Sequence, residues 1–251
     1  MKRIKHTVKE LNLLKSFTVP TLANAIETFG VIPSNYGFCD SRMICRFPSK
    51  PLMIGYAITS RVSTDQPITG NWKSINEAKY WKFISEQPGP KIAVCKDIDD
   101  PSYGAMWGEY NSNVHKALGC IGAVVDGAVR DIDGIQHLDF HLFSTYIHPS
   151  HGNGAFIDFG GTVRICGLPV KNNDLLVGDR HGILIIPPEI SLSELAKVAS
   201  EIDKLENEIF HYCQSSNFSI EGLEKLDKSV NDRWPNYIVI RKSSSKLENE
   251  D

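Results

Sequence analysis

Between Gly108 and Asp131 the chain sets an acid, Glu109, and then, after twenty intervening residues, the pair Arg130-Asp131, with Asp126 and Asp133 on either side of it. Carboxylates gathered in one place repel one another unless protons or a cation compensate. Oxygen donors of this kind suit Mg²⁺ or Mn²⁺, and a sparse protein set leaves coordination positions for a substrate. Arg130 offers a planar fork for a substrate carboxylate. Spacing alone equally fits a strand-end ion pair beside a turn aspartate. The glycines at 108, 119, 122 and 127 favour the chemical reading, because small residues imply close backbone approach.

Such residues need elements to hold them. The spacing predicts a helix over 108–118 with Val114, Ala117 and Leu118 inward, closed by Gly119, then an apolar strand over 120–125 and a turn at Asp126-Gly127. The loops at strand carboxyl ends are where α/β folds build sites. Upstream, Leu22, Ile26 and Phe29 follow Pro20 at helical spacing up to Gly30. Residues 52–59 read as a buried strand with small Gly55 and Ala57, 63–73 as polar turn formers, 75–84 as a helix and 91–95 as a strand. A helical run at 132–138 and strands at 143–147, 162–165 and 182–186 follow, giving an α/β domain with more than one sheet layer. After Pro187-Pro188, apolar spacing from Leu192 to Ile209 predicts a long helix and 220–230 a shorter one.

Composition narrows the class. In 251 residues, 41% hydrophobic and 23% charged content is that of a globular protein. The formal charge of −3 offers nothing to nucleic acid, and no apolar run suits a membrane span or secretory signal, so cytoplasmic residence is expected. The six cysteines form no zinc-type spacing, and Cys95, Cys120 and Cys166 read as buried free thiols.

Several other residues take plainer readings. Asp126 is expected to serve the turn, Asp133 the first turn of a helix and Asp179 the Gly-Asp-Arg-His-Gly turn. His141, His148 and His151 lack helical spacing for shared metal ligation, and His115 is expected to be exposed. Trp72 and Trp81 read as packing residues, while Trp107 borders the Gly108–Asp131 segment.

The pattern resembles the RraA-like family, which includes 4-hydroxy-4-methyl-2-oxoglutarate aldolases, oxaloacetate decarboxylases and regulators of ribonuclease activity. The likeness is carried by residues 21–25, 55–59, Glu109 with Arg130-Asp131, and 174–183. It implies a layered β/β/α swivelling-type α/β domain with a C-terminal helical extension. The implied boundaries are a leader at 1–17, the catalytic domain at 18–189, the extension at 190–242 and a disordered tail at 243–251. It implies a metal-dependent lyase cleaving a carbon–carbon bond of a small 2-oxo acid to give pyruvate. In that reading Arg130 binds the pyruvate carboxylate, Asp131 anchors Mg²⁺ or Mn²⁺, and Glu109 orders water. Backbone amides around Trp107, Gly108, Tyr110 and Asn111 face the same carboxylate.

The resemblance further implies a homotrimer or homohexamer with sites near subunit interfaces, reached by an acidic residue of a neighbouring subunit, and no nucleic-acid or membrane partner. The alternative within the family is a non-catalytic regulatory or binding protein. A methyltransferase is disfavoured, because the glycines lack the early strand, tight turn and ribose-binding acid of a nucleotide fold. The chain departs from the family pattern at Tyr110–Asn113, at 66–73 and at 152–160, all expected near the pocket.

Overall fold

The computed structural model describes residues 6–65 and 76–236. These fall into two compact units, one of residues 35–186 and one of 6–34 with 187–236. The early helix, which the sequence reading joined to the 18–189 domain, is thus grouped with the C-terminal helices. The residues read as a polar stretch at 66–73 and as a tail at 243–251 lie outside the described residues.

In the unit of residues 35–186, four strands run parallel at the centre: β2 (Met53–Ser63), β3 (Lys91–Asp97), β4 (Cys120–Val129) and β5 (His141–Ile147). They are joined through α3 (Glu77–Glu86), α4 (Glu109–Ala117) and α5 (Ile132–Gln136). Antiparallel strands complete the sheet. The short β1 (Ile44–Cys45) pairs with β5, while β6 (Ala155–Phe159) and β9 (Leu175–Asp179) both pair with β2, and β10 (Gly182–Ile186) pairs with β9. A separate hairpin is formed by β7 (Val163–Ile165) and β8 (Leu168–Val170). The segment leading into β1 brings the two sheet edges together, since Gly37 O accepts from Ile185 N and Cys39 N donates to Ile183 O. The result is a near-closed barrel.

Burial on both sheet faces explains why β3 and β4 read as near-continuous apolar runs rather than alternating ones. On one face Ala93, Cys95, Ala123 and Val125 pack with Tyr80, Ile84, Trp107 and Ile135 from the helical side. On the other Ile92, Val94 and Val124 pack with Val163, Ile165, Leu168 and Val170 of the hairpin. Helices, sheet and hairpin are therefore three layers, the β/β/α arrangement that the family resemblance implies.

Two local expectations are corrected. Asp126-Gly127 is no turn: β4 continues through it to Val129, with one extra residue against β5, because Val125 faces Ser144 and Ala128 faces Tyr146. The Thr145 hydroxyl donates to Gly127 O at this bulge. And α4 buries Ser112 and His115, leaving Ala117 exposed. Its C-terminal end is fixed by Gly119 at φ +88° and by Lys91 Nζ, which donates to Leu118 O at 2.8 Å.

The other unit contains α1 (Val8–Asn12), α2 (Val19–Thr28), α6 (Leu192–Cys213) and α7 (Ile220–Arg233). Thr18 caps α2 by accepting from Thr21 N, with Pro20 in the first turn. The buried Leu22, Ala25 and Ile26 of α2 and Leu195, Val198, Ala199 and Ile202 of α6 supply its apolar core.

Candidate active site

Three features bring Glu109, Arg130 and Asp131 together at the exit of β4. Trp107 bridges Val129 in parallel, and Arg130 N donates to Trp107 O at 2.9 Å, so the start of α4 lies beside the end of β4. Asp131 adopts the left-handed conformation, φ 58° and ψ 39°, as the residue preceding α5. Its side chain does not cap that helix. It turns to α4, where Oδ2 accepts from Glu109 N at 3.1 Å.

Two glycines make room for this convergence. A Cβ on Gly108 would meet Asp131 Oδ2 at 2.5 Å and Arg130 Cγ at 3.1 Å. One on Gly134, in α5, would collide with the Glu109 carboxylate. Any larger residue at either position must displace one of the site's own acids.

What remains open is as informative as what is bonded. Arg130 Nε lies 3.6 Å from Asp131 Oδ2, with the two side chains 36% and 40% exposed, and the terminal guanidinium nitrogens have no partner among the described residues. Asp131 Oδ1 is likewise unengaged there. Gly108 provides no side chain to cap α4, so the first-turn amides of Tyr110 and Asn111 stay available to an anion. The arrangement can hold a carboxylate on Arg130 and these amides, with two carboxylates alongside.

Beside it opens a cleft of about 210 Å³ whose lining includes Arg130, Gly108, Tyr110, Asn111, Met106 and His151. Arg130, Gly108, Tyr110 and Asn111 had been named from sequence. Glu77 and Gly154, also in the lining, had not, although the 152–160 stretch stood out as unusual. Trp107 does not shape this cleft through its ring. The indole is fully buried, donates from Nε1 to Ser112 Oγ at 3.0 Å and packs 4.5 Å from the His115 ring.

His115, expected at the surface, is fully buried. Its Nδ1 lies 2.7 Å from Asn111 O and its Nε2 3.4 Å from the Tyr80 hydroxyl. Nothing in the local sequence announces the second contact, since Tyr80 comes from a distant helix. Burial holds the imidazole neutral, with its pKa pushed down to about 4. Together with Trp107 and Ser112 it forms a rigid floor under the first turn of α4.

The remaining sequence candidates are placed elsewhere. Asp126 Oδ2 accepts from Lys96 Nζ at 2.9 Å and from Cys166 N at 2.9 Å, which ties β4 to β3 and to the hairpin. Asp133 lies in the first turn of α5, and Asp179 accepts from His181 N in its turn, both as expected. His148 Nδ1 accepts from Ser150 N, and His141 is half-buried in β5. Cys95, Cys120 and Cys166 are buried free thiols whose pKa values burial pushes up to about 12. No group of three or more His, Cys, Asp or Glu side chains is poised around one point among the described residues. Asp131 and Glu109 are nevertheless hard oxygen donors of the type that a sparsely ligated Mg²⁺ or Mn²⁺ takes.

Comparison with known proteins adds independent support for the fold. The profile of the RraA-like family, described as Aldolase/RraA, matches residues 22–185. The uncharacterized protein MJ0644 of Methanocaldococcus jannaschii is 31% identical over 207 residues, covering 80% of this chain and 87% of that protein. A Halalkalibacterium halodurans protein provisionally named a 4-hydroxy-4-methyl-2-oxoglutarate aldolase is 30% identical, over 52% of this chain and 67% of its own length. Among solved structures, an uncharacterized protein from Pseudomonas syringae pv. tomato superposes with TM-score 0.70 at 20% identity, covering 91% of this chain and 97% of that one. Streptomyces coelicolor RraAS2, described as an unusual member of the RNase ES inhibitor RraA family, gives TM-score 0.63 at 16% identity, over 81% and 96% of the two chains. At these identities the structural likeness concerns the fold alone. No helix among the described residues is long and apolar enough to cross a membrane.

Proposed function

The chain belongs to the RraA-like family, and from that premise we propose that it is a divalent-metal-dependent lyase that releases pyruvate from a 2-oxo acid. The reaction is of the 4-hydroxy-4-methyl-2-oxoglutarate aldolase or oxaloacetate decarboxylase type. The observation that supports this most is the convergence of the open Arg130 fork, Asp131 and Glu109 on the uncapped first turn of α4.

Arg130 grips the substrate carboxylate through its free terminal nitrogens, and the Tyr110 and Asn111 amides add donors from the helix start. As the carbon–carbon bond breaks, negative charge grows toward the 2-oxo oxygen, and the fixed positive field of Arg130 and the helix terminus stabilises it. Asp131, with Glu109 beside it, would hold Mg²⁺ or Mn²⁺, which supplies Lewis-acid stabilisation of the same charge when bound. Glu109, exposed beside Asp131, would order the water that removes the 4-hydroxyl proton in aldol cleavage. Decarboxylation needs no such base, and either route ends with a proton returned to carbon. We extend the proposal, on the family resemblance, to a homotrimer or homohexamer with sites near subunit boundaries.

The deciding experiment follows pyruvate release from oxaloacetate with about 1 mM Mg²⁺ or Mn²⁺, a level in the millimolar range of weak Ca²⁺-type oxygen sites. Metal-dependent turnover that disappears in Arg130→Ala is expected. No turnover with either metal, or equal turnover in the variant, overturns the lyase reading and leaves the binding or regulatory alternative.

A further inference from the structure

The cleft beside Arg130, about 210 Å³ in volume, is larger than a carboxylate needs, and its lining includes one side chain without an assigned task. His151 is exposed, lines the cleft with Arg130 and Tyr110, and its imidazole has no hydrogen bond or ion pair among the described residues. An imidazole retains at least one N–H to donate in either protonation state.

The loop that carries it is stitched down on both sides. Ala105 N donates to Ser150 O at 2.7 Å, Asn153 N to Thr64 O at 3.0 Å, and His148 N to Val129 O at 3.0 Å. Asn153 Nδ2 reaches Asp65 O, and Gly154 N closes back on His151 O. Gly104 packs so tightly against the loop that a Cβ there would meet His151 C and Gly152 N at 2.5 Å. So many backbone bonds fix the main chain from which this unengaged, exposed ring reaches the cleft. Arg130, Tyr110 and His151 together make the cleft rich in donors, with Glu77 the one acid in its lining among the described residues.

We propose that His151 is a specificity-determining residue, donating a hydrogen bond to an oxygen acceptor, a carboxylate above all, at the end of the substrate remote from Arg130. The inference rests on the lyase reading of the same site. Under it, the cleft discriminates between 2-oxo acids by their far end, while Arg130 treats all of them alike.

The test is calorimetric titration, with Mg²⁺ present throughout, of two stable ligands: pyruvate, which has no distal acceptor, and 2-oxoglutarate, which has a distal carboxylate. Wild type is expected to bind 2-oxoglutarate more tightly. His151→Ala should weaken 2-oxoglutarate about tenfold or more, the scale of a hydrogen bond to a charged group, and change pyruvate by less than about twofold. His151→Asn, which keeps an N–H donor, should recover part of the loss. An unchanged melting temperature is expected for both variants, since the ring is exposed and unbonded. The inference is overturned if His151→Ala weakens both ligands equally or neither, or if wild type does not prefer 2-oxoglutarate. Arg130→Ala should weaken both ligands. If it weakens neither, or if wild type binds neither, the lyase reading itself fails, an outcome distinct from an error at His151.

Discussion

Asp126 and Asp131 stand five residues apart, one within β4 and the other just past its end. The first gives a single oxygen to both Lys96 Nζ and Cys166 N, and its side chain is only 11% exposed. The second meets one backbone amide, keeps its other oxygen open and has a side chain 40% exposed. Residue type does not separate an acid committed to the scaffold from one left open to a ligand; the number of partners already engaged does. The same contrast separates the buried His115, bonded at both nitrogens, from the exposed and unbonded His151.

The largest effect should come from the open group. Arg130→Ala is expected to lower kcat/KM about 10³-fold, roughly 4 kcal/mol of transition-state stabilisation, while leaving the denaturation midpoint in place. A parallel loss of stability would show that Arg130 belongs with the closed groups.

Next comes the pH response of the closed group. The folded-state pKa of His115, about 4, lies below its ordinary 6.5, so the unfolded chain takes up the proton first as the solution is acidified. The contribution is therefore complete above about pH 6.5 and is lost as pH falls from there toward 4, amounting to about 3 kcal/mol. Half-buried His141, also lowered to about 4, acts in the same direction. Urea midpoints measured from pH 7.5 to 4.5 should fall in the wild type and fall less in His115→Gln. Equal slopes would dismiss His115 as a buried neutral group.

Asp126→Ala should cost about 2 kcal/mol. That is below the value for a fully buried pair, because Lys96 is 30% exposed and solvent screens part of the interaction. Turnover per folded molecule should not change. A loss of turnover without a loss of stability would place Asp126 with the open groups after all. Smallest of the four, Gly108→Ala should reduce turnover about tenfold, roughly 1.4 kcal/mol, by pushing the Asp131 carboxylate aside. Its φ of −147° is ordinary for alanine, so thermal stability should change little.

Much of the site's scaffold can be read from the sequence, and the failures share one cause. The strands at 91–95 and 182–186 and the long helix from Leu192 follow from local periodicity. The supposed turn at Asp126-Gly127 follows from local chemistry too, but it is overridden. Lys96 on the neighbouring strand and the Cys166 amide neutralise and bond a carboxylate that would otherwise end the strand. His115 is overridden in the same way by Tyr80 and Trp107. In both cases a partner far away in sequence, Lys96 for Asp126 and Tyr80 for His115, completes the burial of a polar residue, and no local pattern encodes that partner. Glu109, Arg130 and Asp131 stand out by a spacing that sequence does record, though that spacing equally fits a strand-end ion pair and their expected roles come from the family resemblance.

That spacing has a mechanical meaning. Trp107 and Val129 are neighbours in space, so the twenty residues between Glu109 and Arg130 trace a circuit, out along α4 and back along β4 with a single bulge. Substitutions along the circuit leave its path length intact. Removing one residue from the strand changes its parity, and every side chain beyond the cut exchanges faces. The bulge is the exception, because it holds the residue to spare: a deletion at Gly127 would let β4 run regularly against β5 with Ala128 still opposite Tyr146.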